Sequence, residues 1–214
     1  TSPDGHRGSV RDYFLAQSNG KFELNFDIAG PYTMPNSASY YGSNSPSSDA
    51  KASEMIATAC KMANADGIDF SNYDWEGDGN VDMVFVIYAG YGEATSTKRP
   101  DVIWPHQFEL NYTGNALYLN GKYVNVYACS NEIDEINDTG KPHVQGIGAI
   151  CHEFSHCLGF PDLYDTGTAG RFGMGHFDLM CQGSYNGDTF RPAGYSSYEK
   201  WMAGWLTPIE LSDE

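Results

Sequence analysis

The chain has 214 residues, of which 41% are hydrophobic, and its 15 tyrosines and 11 phenylalanines can fill the core of one large or two small domains. Twelve basic residues against 28 acidic ones give a net charge of −16. A phosphate backbone would be repelled by this charge, so nucleic acid is not expected as a partner. No stretch approaches 18 consecutive apolar residues, so no transmembrane segment is predicted.

The first half of the chain predicts two helices, a strand and a loop. The stretch GSVRDYFLAQSNG predicts a helix with Ser9 as its N-cap and Asp12 three positions later. Alternating apolar residues over 22–28 predict a strand. Residues 30–49 are rich in Gly, Pro, Ser and Asn and are expected to form an exposed loop, followed by a helix within 48–67.

The second half predicts a buried strand, a hairpin and two more helices. The nearly continuous apolar run 81–90 is typical of a central buried strand. Asn120–Gly121, between two β-rich runs, indicates a hairpin with a type I′ turn. A third helix is expected to begin after Pro142 and to run to about Leu158, and a last one is expected in SSYEKWMAGW.

The stretch AICHEFSHCLGFPDLYD has the spacing of a metal site. His152 and His156, four apart on a helix, lie on one face with Cβ atoms about 6 Å apart, so both rings can reach one Zn²⁺. Gly159 can end the helix and turn the chain, which would bring Asp162 back as an oxygen ligand. Three protein ligands leave a fourth position for water, as in catalytic zinc sites.

Glu153, beside the first histidine, is the predicted general base. It is placed to take a proton from a zinc-bound water, whose pKa the metal lowers toward about 7, and to pass it to a leaving amine after attack on a peptide carbonyl. The alternative is an ordinary helix with surface histidines. The additional glycine and aspartate at their offsets favour the metal site.

An acidic loop, DWEGDGNVD, predicts a calcium site. Its oxygen ligands at alternating positions, with a glycine for the sharp turn, fit a Ca²⁺ loop, although the terminal glutamate of a helix-flanked EF-hand is absent. A solvated acidic turn is the alternative. The predicted ligands are Asp74, Glu76, Asp78, Asn80 and Asp82.

The motif HEFSHCLGFPD resembles the extended zinc motif of the metzincin peptidases, in the variant with aspartate as third ligand. It is most similar to the immune-inhibitor-A-like secreted metallopeptidases of family M6, and the acidic loop and KWMAGWLTP also resemble this family. The resemblance implies the same zinc ligands and general base as above. It also implies a Met-turn in FDLMCQGSYNG, which nominates Met180, and it offers Tyr185 as a candidate oxyanion stabiliser, with a packed aromatic residue as the alternative.

The resemblance further implies a metzincin-like zincin of α+β class. Its mixed twisted sheet, backing helix and active-site helix would occupy residues 1–158, with the calcium loop. A smaller irregular subdomain, 159–214, would carry the third zinc ligand and the Met-turn within one catalytic domain. Because the Met-turn underlies the zinc helix in the family, Cys157 and Cys181 are expected close enough to pair; with five cysteines, at least one has no partner within the chain.

The functional prediction is a zinc endopeptidase with structural calcium, acting on protein or peptide substrates. It is expected to be secreted, extracellular or on the cell surface, and monomeric. An alternative from another class is a catalytically silent, calcium-stabilised binding or adhesion module on a metallopeptidase scaffold, against which an intact Glu153 argues. A zinc hydrolase of non-peptide substrates is a third possibility that shares the metal chemistry.

Overall fold

The computed structural model describes residues 8–44, 49–96, 99–135, 141–167, 171 and 173–211. It divides into two compact units, one formed by Thr1–Asp27 with Gly146–Glu214 and the other by Ile28–Gln145. The predicted division of the domain after residue 158 stays a prediction. The described helices are α1 (Val10–Gln17), α2 (Ala38–Tyr41), α3 (Ala52–Ala65), α4 (Gly148–Cys157) and α5 (Ser197–Met202). The described strands are β1 (Val84–Tyr91), β2 (His106–Glu109), β3 (Leu117–Leu119), β4 (Lys122–Val124), β5 (Val126–Asp134) and β6 (His143–Val144).

The second unit, Ile28–Gln145, contains a mixed sheet in which β5 is the central strand. β1 pairs with β5 in parallel, whereas β2 and β6 pair with β5 antiparallel. The prediction that the run 81–90 is the central strand is therefore wrong: in the described part of the chain, β1 pairs with β5 alone, and Ile87 is 60% exposed. An apolar run shows strand length but not the number of neighbouring strands, and the central place belongs to β5, most of whose residues are buried.

Helix α3 covers the apolar core of this unit. It buries Met55, Ile56 and Cys60 in one cluster, which confirms the predicted second helix. Residues 45–48 of the predicted loop 30–49 lie outside the described residues, and the described remainder is exposed only in part, because α2 lies within it and buries Tyr41. The polar composition of the segment did not reveal this short helix.

The predicted hairpin is confirmed. β3 and β4 pair antiparallel, with Leu119 opposite Lys122. Asn120 and Gly121 have φ values of 48° and 79°, as a type I′ turn requires.

The other unit packs α1 and the segment after it against α4. Ser9 and Asp12 form the predicted capping box of α1. The strand predicted over 22–28 is wrong, because this segment is irregular. Its alternating apolar side chains instead pack near helix α4. Leu24 is buried, and the rings of Phe22 and Phe26 lie 6.5 and 5.9 Å from the ring of Phe154 on α4.

The third helix is shorter than predicted, because α4 begins at Gly148 and not near residue 142. The segment before it is extended, and β6 pairs with the end of β5. The last helix is confirmed as α5, with Ser196 and Glu199 forming a capping box. Among the residues that the structure describes, no helix has the length and apolar character needed to cross a membrane.

Candidate metal centre and active site

Helix α4 and the turn after it bring the three predicted zinc ligands together. The rings of His152 and His156 lie 4.8 Å apart, one helical turn from each other. Gly159 has a φ of 89° and ends the helix in a Schellman arrangement: its N–H donates to the carbonyl of His156, and the N–H of Phe160 donates to that of Ser155. The reversal returns Asp162, whose Oδ1 lies 3.3 Å from Nε2 of each histidine.

Both imidazoles are oriented with Nε2 toward Asp162. Nδ1 of His152 lies 2.8 Å from the carbonyl oxygen of Leu179, and Nδ1 of His156 lies 2.8 Å from that of Phe160. A carbonyl oxygen only accepts, so each Nδ1 carries the hydrogen and each Nε2 of a neutral ring presents a lone pair.

The convergence of these lone pairs fits a metal ion. Asp162 Oδ1 is buried, and no hydrogen bond from the described residues reaches it. Two nitrogen lone pairs and a carboxylate oxygen facing one another are unfavourable unless a cation lies among them. In the described part of the chain, His152, His156 and Asp162 form the one group of three or more His, Cys, Asp or Glu side chains with ligand atoms close enough to share a metal ion, all within 4.8 Å of one another.

The pKa shifts of the three residues also indicate a site that favours positive charge. Burial lowers the pKa of His152 and of His156, but the adjacent Asp162 carboxylate and the carbonyl oxygens that their Nδ1 atoms face outweigh it, so the pKa of both is raised. Burial raises the pKa of Asp162, but the two histidines outweigh it and hold it well below its usual range. The three groups together favour a positive charge, which a proton or a metal ion can supply.

Glu153 lies beside the metal group on α4. It is buried, and its negative charge contributes to the raised pKa of His152, His156 and Tyr164. The predicted base is therefore within electrostatic reach of both histidines.

Met180 lies in a buried turn that contacts both halves of the site. Its carbonyl accepts a hydrogen bond from the N–H of Leu163, the residue after Asp162, at 2.7 Å. The preceding carbonyl, of Leu179, accepts from His152. Met180, the residue nominated for the Met-turn, is fully buried. Backbone hydrogen bonds of Met180 and of the residue before it therefore hold this turn next to Asp162 and His152.

Tyr164 is a site residue to which the sequence assigned no role. Burial raises the pKa of Tyr164, and the charge and hydrogen bonding of Asp162 raise it further. The charges of Glu153 and Tyr185 act in the same direction. The phenol of Tyr164 is therefore a hydrogen-bond donor beside a predicted ligand. Its position two residues after Asp162 was the available signal, but the packing of its ring depends on the fold. Tyr185, the predicted oxyanion candidate, is about one third exposed near Tyr164.

The expected pairing of Cys157 with Cys181 is wrong. All five cysteines are thiols, four buried and Cys157 partly buried. The Cys157 thiol lies 3.7 Å from the carbonyl oxygen of Glu153, and burial raises its pKa to about 12. These cysteines therefore act as small packed side chains.

The acidic loop does not converge on a cation position. The carboxylate of Asp74 accepts hydrogen bonds from the backbone N–H groups of three residues, at 2.8, 3.0 and 3.0 Å, and also contacts the ammonium of Lys122. Hydrogen bonding from Lys122 lowers the pKa of Asp74. The carboxylate of Asp82 accepts from the N–H of Trp75, and that of Asp78 accepts from Asn80. Three carboxylates of the predicted calcium loop, those of Asp74, Asp78 and Asp82, therefore bind backbone and side-chain groups of the protein, and calcium stays a prediction.

Comparison with known proteins agrees with the resemblance of the zinc motif. The sequence profile described as "Immune inhibitor A peptidase M6, catalytic domain" matches residues 1–207. A protein of Vibrio cholerae serotype O1 named pre-pro-metalloprotease PrtV is 30% identical over 223 residues, covering 94% of this chain and 24% of that protein. Immune inhibitor A of Bacillus thuringiensis subsp. alesti is 25% identical over 235 residues, covering 96% of this chain and 34% of that protein.

A mixed α/β domain in which a helical HExxH motif and a following aspartate converge belongs to the metallopeptidase class. Within that class, the chain belongs to the immune inhibitor A (M6) peptidase family and matches the catalytic domain. It spans about a quarter to a third of the length of these curated relatives.

Proposed function

We propose that this chain is a zinc endopeptidase domain of metzincin type that hydrolyses peptide bonds in proteins. The observation that carries the proposal is the convergence of two histidine lone pairs on the buried Asp162 Oδ1, to which no described residue donates a hydrogen bond. This donor set of two imidazoles and one carboxylate suits Zn²⁺, and it leaves a position for water or substrate.

His152, His156 and Asp162 would hold Zn²⁺, which would supply Lewis-acid chemistry for attack of water on a peptide carbonyl. Glu153 accepts the proton of the attacking water and delivers it to the amine that leaves. The carbonyls of Leu179 and Phe160 hold the two rings in the orientation that ligation needs. The phenol of Tyr164 stays protonated, because its pKa is raised, and is a donor beside Asp162.

Protein substrates are proposed from membership of a peptidase family. A location outside the cell or at its surface and a monomeric state are further proposals that follow from the family resemblance. The silent binding module has no comparable support, because a binding role does not require a buried glutamate beside the first ligand.

Calcium in the acidic loop is proposed with a condition set by the structure. Lys122 neutralises Asp74, so a calcium ion that used Asp74 would have to displace this ammonium. If calcium does so, a calcium-selective chelator lowers the melting temperature, and Asp78→Ala removes the difference. Equal melting temperatures of the wild type with and without calcium would show that calcium does not stabilise the loop and that Lys122 is the cation that neutralises Asp74.

The zinc site is tested by metal content and affinity. We expect one zinc per chain in the wild type, and an affinity lower by at least about 100-fold in Asp162→Ala, because a direct ligand is lost. Asp165→Ala is the matched control: Asp165 lies in the same loop but accepts from the N–H of Gly167 and pairs with Arg171. Wild-type zinc affinity in Asp162→Ala would contradict the proposed ligand set.

A further inference from the structure

A pair of buried carboxyl groups lies behind the metal site, within the same compact unit. Asp178 is 0% exposed and Glu199 is 3% exposed. Both accept from the same backbone N–H, that of Ser196, at 3.1 Å for Asp178 Oδ2 and 2.7 Å for Glu199 Oε2. Glu199 Oε2 also accepts from the hydroxyl of Ser196, whereas Glu199 Oε1 is buried with no hydrogen bond from the described residues.

Two carboxylates that share one N–H in a buried place cannot both be ionised without a large cost. No ion pair of the described residues includes either group. Burial, followed by hydrogen bonding to Asp178, raises the pKa of Glu199 to about 7. Below about pH 7, Glu199 is therefore mostly protonated, and the pair avoids two negative charges in one buried place.

Among the described residues, the titratable groups that face this pair from neighbouring elements supply no positive charge. They are Tyr13 from α1 and Tyr195 from the segment before α5, and Cys151 of α4 lies beside both tyrosines. Burial raises the pKa of each of them above its usual value, so all three stay neutral. Loss of the shared proton thus leaves two like charges with no compensating group among them.

The carboxyl group of Asp178 binds the backbone that orients a metal ligand. Asp178 Oδ1 accepts from the N–H of Met180 at 2.8 Å. Between these residues, the carbonyl of Leu179 accepts from Nδ1 of His152. The other oxygen of Asp178, through Ser196, joins this turn to the start of α5.

We propose that Asp178 and Glu199, sharing one proton, are positioning residues that hold the Leu179–Met180 backbone against the zinc ligand His152. The positioning of a zinc ligand rests on the proposed function; the sharing of the proton does not. Neither residue touches substrate or metal. Deprotonation of Glu199 at alkaline pH loosens the turn, and zinc is then released faster.

The sign of the pH dependence follows from the raised pKa of Glu199. The protonated form is favoured by folding, so the stabilisation is complete below about 4.5, the ordinary pKa, and is lost as the pH rises through about 7. Glu199→Gln keeps an amide donor toward Asp178 and an acceptor for Ser196 at every pH. Between pH 5 and pH 8, we expect the unfolding constant of the wild type to rise on the order of 50-fold more than that of Glu199→Gln.

The experiment compares unfolding by denaturant at pH 5 and pH 8 in the wild type, Glu199→Gln and the control Glu210→Gln, whose glutamate is exposed. The release of zinc to a chelator is timed at pH 8 in the same proteins. The proposal expects a flattened pH profile and slower zinc release in Glu199→Gln, with the control like the wild type. Asp178→Asn, which removes the charge but keeps an acceptor for Met180, should flatten the profile too, and it serves as the second variant if Glu199→Gln does not fold.

If the pH dependence of unfolding in both variants is the same as in the wild type, Asp178 and Glu199 do not share a proton. If that dependence is flattened but zinc release is unchanged, the two residues do not position the zinc ligand. A chain that binds no zinc would refute the proposed function and the positioning role that rests on it, while a flattened unfolding profile would still support the shared proton, so the two failures can be told apart.

Discussion

Gly148 provides a test in which helix propensity and tertiary packing predict opposite signs. Replacement of glycine by alanine in a helix interior normally stabilises by about 1 kcal/mol, and at Gly148, the first residue of α4, the gain is at most that. Here a Cβ at Gly148 would lie 1.9 Å from the carbonyl oxygen of Ser184 and 3.0 Å from that of Thr189. Both obstacles are backbone atoms, and the N–H of Gly148 itself donates to Thr189 at 2.8 Å. The contact must open by more than an ångström, and overpacking of this kind costs up to about 3 kcal/mol.

We therefore expect Gly148→Ala to be destabilised by about 2 kcal/mol, the overpacking cost less the propensity gain. For a chain of this size, that lowers the melting temperature by about 4–8 °C. Chemical and thermal unfolding measure it, with Ala149→Gly at the next position of the same helix as the comparison for helix propensity, where we expect a loss of at most about 1 kcal/mol. A Gly148→Ala protein as stable as the wild type, or more stable, would refute the packing of α4 on the Ser184 backbone.

Three further predictions concern the aromatic cluster, the acidic loop and the thiols. Phe154→Ala should cost about 3–5 kcal/mol in denaturant unfolding, because Phe154 is 1% exposed and its ring lies 5.0 Å from that of Phe14; a loss below about 1 kcal/mol would contradict this packing. Lys122→Met should lower the melting temperature at pH 7, because Asp74 loses its counter-charge, and it should increase the response to calcium; unchanged melting would show that the ion pair does not matter. Alkylation of the unfolded, unreduced chain should add five groups by mass spectrometry, whereas fewer would reveal a disulfide.

The features that local sequence predicted are those that local interactions determine. The capping box of Ser9 and Asp12 needs only residues three apart, and the Asn120–Gly121 turn needs only two adjacent positive φ values. The convergence of the zinc group is also local in origin. One helical turn places the two histidines, and Gly159 reverses the chain within three residues of Asp162.

The features that sequence did not predict depend on distant partners. The alternation over 22–28 is typical of a strand, but the inward side chains contact Phe154, more than 120 residues later in the chain. The edge position of β1 is set by which strands pair with β5, about which its own residues carry no information. Asp178 and Glu199 are 21 residues apart in sequence, and their shared use of the Ser196 N–H appears only in the folded chain.

Cleavage of denatured casein by the wild type and by Glu153→Ala, side by side and with zinc content measured in both, tests whether this domain is a zinc peptidase with Glu153 as its base. We expect that the wild type cleaves, that the variant does not, and that both carry equal zinc, because Glu153 acts on protons and not as a ligand. Cleavage by Glu153→Ala at the wild-type rate, or no cleavage by a zinc-loaded wild type, would contradict this expectation.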